Sequence, residues 1–212
     1  EKVLYFAREK KGHEGVKGTV TEDFRGILVH DHEITFYRYG SAHQECLAHV
    51  ERYLKDSMEN ESSLTWNRRM RELLQRMIHY RKEHTGEASL DAQTVAGFET
   101  EYQEILDKAK EEYKRNEPSP YYREGYNLYR RMQEYKTEHL LFLHDMRVPT
   151  TNNTAERCLR DYKRKQTFAM TFRSLESIEE LCHSKGVLLE VRKNNPNIYT
   201  AVMEIFNRRY GA

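Results

Sequence analysis

From Leu64 to about Glu138 the apolar side chains return every three or four residues: Trp66, Met70, Leu73, Leu74, Met77 and Ile78, then Phe98, Tyr102, Ile105, Leu106, Ala109 and Tyr113. Such spacing gathers them on one face of successive α-helices. Breaks fall at Thr85-Gly86 and at Pro118-Ser119-Pro120, and a third helical run follows from Tyr121 through Tyr135. No heptad is sustained, so the pattern belongs to globular helices rather than a coiled coil. With 33% charged residues and only 10 Gly and 4 Pro, the chain suits long solvated helices and excludes collagen, linkers and most disorder.

The first third has a different grammar. Val3 to Phe6 reads as a short apolar strand, Val16, Val20 and Phe24 recur at helical spacing, and Gly26 to Val29 forms a second buried strand ending at His30-Asp31. An aromatic block, Phe36 to Tyr39, closes at Gly40, and a helix from about Ala48 carries Val50, Tyr53 and Leu54 on one side. Alternation of this kind is α/β. After Pro149 a helix begins at about Thr154, with Ala155, Cys158, Leu159 and Tyr162 on one stripe. Phe168 to Phe172 reads as a break or short extended piece. A helix over roughly Leu175 to Val191 follows, and Asn194-Asn195-Pro196 starts a last one to about Arg208.

Lys and Arg total 35 against 34 Asp and Glu, a net charge of +1, so any contact with nucleic acid is local rather than a basic coat. No apolar stretch approaches the roughly 20 residues that span a bilayer. No leader peptide opens the chain, and its first residue is Glu1, so it reads as part of a longer protein. Three cysteines, Cys46, Cys158 and Cys182, fit a reducing cytoplasm better than a disulfide framework.

Asp31 stands at the carboxyl end of an apolar strand, where open α/β sheets place functional groups. A turn-forming or helix-capping role explains that position equally well. Asn153 to Glu156 resembles a capping box, in which Glu only satisfies a backbone N–H. The functional alternative notes that Glu156, Arg160 and Lys163 lie at i, i+4 and i+7, an acid and two cations on one helical face. A metal-binding acid beside phosphate-binding cations has this pattern, and the positive end of the helix favours the ionised carboxylate. Cys46 and His49 form half of a zinc-ligand set, or else pack at a helix start. His30 and His32 flank Asp31, but alternation turns both away from its face. His43 reads as a surface residue. Arg68-Arg69, Arg71, Arg130-Arg131 and Lys163 to Lys165 are basic clusters. The tyrosines at 121, 122, 126, 129 and 135 permit stacking on bases, although helical spacing also suits core and interface.

In order along the chain, Phe24 to Asp31, Cys46 to Leu54, and Thr151-Asn152-Asn153-Thr154-Ala155-Glu156-Arg157-Cys158-Leu159-Arg160 with Lys163 and Phe172-Arg173-Ser174 resemble the bacterial transposases of the insertion sequence sixty-six family. The match covers roughly residues 24–55 and 141–175; the helical middle agrees in character only.

The resemblance implies an α/β, RNase H-like (retroviral-integrase-like) core, partial here and predominantly helical overall, with a large all-helical insertion between the second and third acids of an Asp-Asp-Glu triad. Residues 1–55 would be the first part of that core, 56–140 the insertion, and 141–212 the remainder. Asp31 would be the second acid and Glu156 the third, both holding Mg²⁺, with Mn²⁺ as substitute. Arg160 and Lys163 would contact DNA, while Cys46, His49, Asn152 and Asn153 match signature positions. The first acid has no equivalent in these residues, and Asp23 is poorly placed to replace it, so the chain alone is expected to be inactive. The implied partners are element-end and target DNA, with a possible homo-oligomer and no membrane, in the bacterial cytoplasm and on the nucleoid when bound. The competing reading is a non-enzymatic helical module that binds nucleic acid or protein, left by a decayed element.

Overall fold

The computed structural model describes residues 3–169, 174–194 and 197–210. In chain order these form helix α1 (Gly12–Val16), strands β1 (Ile27–His30) and β2 (Ala42–Glu45), and helices α2 (Leu47–Asn60), α3 (Trp66–Glu83), α4 (Ala92–Arg115), α5 (Glu124–Glu134), α6 (Lys136–His144), α7 (Asn153–Ala169), α8 (Leu175–Asn194) and α9 (Ile198–Tyr210). A short 3-10 helix, Ile34–Arg38, joins the strands. The described chain is therefore predominantly helical, with two strands paired in parallel. It divides into two compact units: Asp23–Asn152, and Glu1–Glu22 with Asn153–Ala212.

In the 23–152 unit Ile27 stands opposite Ala42 and His30 opposite Glu45. Parallel partners need a crossover, and here it is unusually short. The Glu33 carboxylate caps the 3-10 helix, accepting from the Thr35 N–H at 3.3 Å and the Thr35 hydroxyl at 2.8 Å. Gly40 closes the crossover at φ 76°, with its Cα so near the strand that a Cβ would lie 2.8 Å from the Gly26 carbonyl oxygen.

The periodic residues of the helical stretch are those that become the core. Leu47, Val50 and Leu54 of α2 and Trp66, Met70, Leu73, Leu74 and Met77 of α3 are fully buried, together with Tyr102, Ile105 and Leu106 of α4. Met132 of α5 and Leu140 and Phe142 of α6 complete the cluster. Each such side chain contributes about 1.5–3 kcal/mol. α6 is also stitched to the sheet. The buried Gln44 amide donates to the His139 carbonyl at 3.3 Å, and its oxygen accepts from the Phe142 N–H at 2.8 Å.

Where α5 meets the end of α2 there is no room for a side chain. A Cβ on Gly125 would fall 1.7 Å from a Glu61 carboxylate oxygen and 2.8 Å from Ser57 Oγ. That carboxylate accepts from Ser57 at 2.8 Å and from the Tyr113 hydroxyl at 3.0 Å. Gly125→Ala is therefore expected to lower stability by about 1 kcal/mol, despite its better helix propensity, by displacing Glu61 from these donors. Thermal unfolding checks this, and the penalty should shrink in a Glu61→Ala background, where only the contact with Ser57 remains.

In the other unit, Tyr5 is buried and its hydroxyl donates to the Cys158 carbonyl at 3.3 Å, while Lys185 lies over its ring at 5.7 Å. α8 packs on α9, burying Cys182 and Ala201.

Several elements depart from the sequence expectation. Residues 3 to 6 form no strand; Leu4 and Phe6 are exposed, Val3 is half-buried and Tyr5 is buried. α1 stops at Val16, with Gly18 at φ 71°, so Val20 and Phe24 continue no helix and are exposed. The aromatic block at 36–39 lies in and after the 3-10 helix. The expected break at 168–172 does not begin at Phe168, since 168 and 169 belong to α7; residues 170–172, like Asn195 and Pro196, lie outside the described residues. No helix among the described residues is long and apolar enough to cross a membrane.

Candidate active site

Asp31 follows the last residue of β1 and is exposed. Its own carbonyl accepts from the Glu33 N–H at 2.7 Å, a tight turn directly after the strand. Around this end the unit brings three further segments together. The Cys46 N–H donates to the His30 carbonyl at 2.8 Å, the Leu47 N–H donates to the Thr150 carbonyl at 2.9 Å, and the Asn152 N–H donates to Cys46 Sγ at 3.5 Å. The carboxyl ends of both strands, the first turn of α2 and residues 150–152 therefore meet. Asp31, Cys46, His49 and Asn152 share this end of the unit. Cys46 is buried ahead of α2, and His49 sits in its first turn three residues on, the spacing that places two side chains on one helical face.

Asn153, Glu156, Arg160 and Lys163 all belong to α7 in the other unit. Glu156 is half-buried in the first turn, and Arg160 and Lys163 are exposed one and two turns further on. Because α7 starts at Asn153, Glu156 is its fourth residue, one past the place from which a capping-box Glu reaches back.

The histidines beside Asp31 turn inward, as alternation requires. His30 is buried against Phe36, Tyr37 and His43, with Nδ1–H donating to the Asp31 carbonyl and Nε2 lying 3.3 Å from His43 Nδ1. His43 is thus half-buried rather than a surface residue. Burial holds the His30 pKa below the ordinary imidazole value of 6.5, and burial with His30 alongside does the same for His43. Protonation is then easier in the unfolded chain, so stability from these two groups is complete above pH about 6.5 and declines as the pH falls below it. Urea midpoints should fall between pH about 7.5 and 5.5, and His30→Gln with His43→Gln should flatten that slope.

A residue that the sequence did not single out occupies the centre of this region. Glu45, at the end of β2, is 1% exposed. His32 Nδ1 lies 2.7 Å from Oε1, which also accepts from the Tyr37 hydroxyl; His139 Nε2 and Arg131 Nε lie 3.2 and 3.4 Å from Oε2. Burial alone would raise the carboxyl pKa, but His139, His32 and Arg131 together hold it well below the usual carboxylate range. The network continues through His139 Nδ1 to the Tyr102 hydroxyl at 2.9 Å, which donates to the Met132 carbonyl at 3.1 Å. Burial, with Glu45 nearby, pushes the Tyr37 and Tyr102 hydroxyls up, so both stay protonated as donors. The cluster locks the α5–α6 junction to the strand end beside Asp31. Its sequence signal was slight: an acid directly before Cys46 in a strand with no apolar run.

Residues 1–180 match the model of a family described as Transposase IS66 family, and neither a curated protein nor a solved structure matches the chain. That match takes in both the strand-end acid and the α7 acid with its cations, so the chain belongs to the IS66 family of transposases.

Proposed function

We propose that this chain supplies the catalytic core of a DNA transposase that cleaves and joins DNA strands by divalent-metal-dependent phosphodiester transfer. In this reading the strands and α2 begin an RNase H-like core, residues 56–140 are an inserted helical body, and α7 returns the chain to the core. The observation that carries it is an exposed aspartate at the carboxyl end of the first of two parallel strands, in a chain of this family. Open α/β sheets place their chemistry there.

Asp31 and Glu156 would hold Mg²⁺, or Mn²⁺ in its place. The donor set fits, since both are carboxylates and neither is sealed from solvent, which suits a hard ion that keeps several waters. When bound, such ions neutralise charge on the scissile phosphate, ease deprotonation of the attacking oxygen and stabilise the leaving one. The chain's own residues do the positioning. The turn closed by Glu33 fixes where Asp31 stands, α7 carries Glu156, and exposed Arg160 and Lys163 bind the phosphates flanking the cut. Water attacks first to expose a 3′-hydroxyl, which then attacks target DNA; the enzyme forms no covalent bond to DNA. The test is Asp31→Asn and Glu156→Gln in a form of the protein extended at its beginning to supply the first acid, scored for strand cleavage. A non-enzymatic module would be indifferent to both.

A further inference from the structure

The end of α4 and the start of α5 enclose a cleft of about 610 Å³ that has no part in the site above. Four cations border it: Lys110 and Lys114 from α4, Arg123 ahead of α5, and Arg130 within it, all exposed. One carboxylate, Glu117, is present in the lining. Lys114 pairs with Glu111 at 2.6 Å, an exposed contact of little strength, whereas Lys110, Arg123 and Arg130 make no ion pair among the described residues. In a chain of net charge +1, acids are plentiful enough to neutralise such a group. Four cations converging on one concavity with a single lining carboxylate favour an anionic ligand.

The wall of the cleft is aromatic. Tyr113 spends its hydroxyl on Glu61 and presents its ring; Tyr129 is buried; Tyr126 is half-buried. Tyr126 is held edge-on to Tyr113 at 5.0 Å and tilted against Tyr129 at 5.8 Å, so its ring is fixed in place rather than free to collapse. Fixed aromatic faces within a ring of cations match a nucleotide, with a base to stack and phosphates to neutralise. The volume falls in the small-ligand range of about 300–1,000 Å³, enough for a nucleotide or two and too small to admit a duplex.

We propose that this cleft binds an unpaired nucleotide of a DNA strand, with Tyr126 stacking on the base and Arg123, Arg130 and Lys110 contacting the adjoining phosphates. The choice of DNA over RNA rests on the transposase reading; the rest stands on the cleft itself. The inserted helices then grip a displaced or frayed strand rather than only spacing the core.

The test is fluorescence anisotropy of the whole chain with a labelled oligothymidylate of about ten nucleotides. Arg123→Ala with Arg130→Ala should weaken binding at least about tenfold and reduce the slope of log K on log salt by about 1.4, that is 0.7 per phosphate lost. Tyr126→Ala should weaken it about 5- to 100-fold, while Tyr126→Phe, which keeps the ring, should bind like the wild type. Loss of oligonucleotide binding in the cleft variants concerns the cleft alone, whereas the strand-end reading stands or falls on strand cleavage, so the failure of one proposal is separable from that of the other. The proposal is overturned if the arginine pair or Tyr126→Ala binds as tightly as the wild type. It is also overturned if a duplex of equal length competes equally, or if the ribonucleotide strand binds tenfold more tightly.

Discussion

In the protein form that supplies the first acid, Asp31→Asn and Glu156→Gln are each expected to lower strand cleavage by about a thousandfold or more, because each removes a charged ligand whose ion supplies several kcal/mol of transition-state stabilisation. Neither should shift thermal unfolding appreciably. The Asp31 side chain is exposed and makes no hydrogen bond or ion pair among the described residues, so an asparagine of the same shape disturbs no contact. At Glu156 glutamine is the informative replacement. It keeps the size and the hydrogen-bonding oxygen of the side chain, so a purely structural role would survive the change and a charged metal ligand would not. Cleavage within tenfold of the wild type in either variant would remove that residue from the catalytic set.

Glu45→Ala should have the largest effect on folding, a loss of about 3–5 kcal/mol. The carboxylate is buried with His139, His32 and Arg131 around it, and truncation leaves those cationic and polar groups facing one another without their acceptor. Urea unfolding followed through the single tryptophan, Trp66, reads this directly, since Trp66 is fully buried in the same unit. A loss below about 1 kcal/mol would mean the cluster is dispensable. The pH dependence has a definite sign. A carboxyl held below its ordinary value of 4.5 contributes fully above that pH, and its contribution drains away progressively as the medium becomes more acid. The wild type should therefore lose stability below pH about 4.5 more steeply than Glu45→Ala does.

The helical body was legible because its information is local. Residues three and four apart decide which face is buried, and the predicted faces of α3 and α4 are those that form the core. The strand before Asp31 was legible for the same reason, being a short apolar run with turn residues after it. β2 was not. Ala42-His43-Gln44-Glu45 looks like loop sequence, and it becomes a strand because Gln44 and Glu45 find partners in α5 and α6, some ninety residues later. No window of sequence contains both sides of those bonds. The same distance hides Glu45 as a candidate, since an acid before a cysteine acquires its buried environment only when His139 and Arg131 arrive. Val3 to Phe6 failed in the opposite direction: its composition favours a strand, but composition is only a weak preference, and these residues take no regular structure. The tyrosine-and-arginine run of α5 carried two meanings in sequence, and the structure divides them. Arg131 goes to the buried Glu45 carboxylate, while Tyr126, Tyr129 and Arg130 border the cleft.

In the proposed mechanism Asp31 and Glu156, 125 residues apart in sequence, hold one metal pocket. Anomalous diffraction from crystals of this chain soaked with Mn²⁺ tests it most directly. The expected result is a peak whose protein ligands are the carboxylate oxygens of both residues. Carboxylates held more than about 10 Å apart would contradict it, since the ions of a two-metal site sit only about 3.5–4 Å from each other.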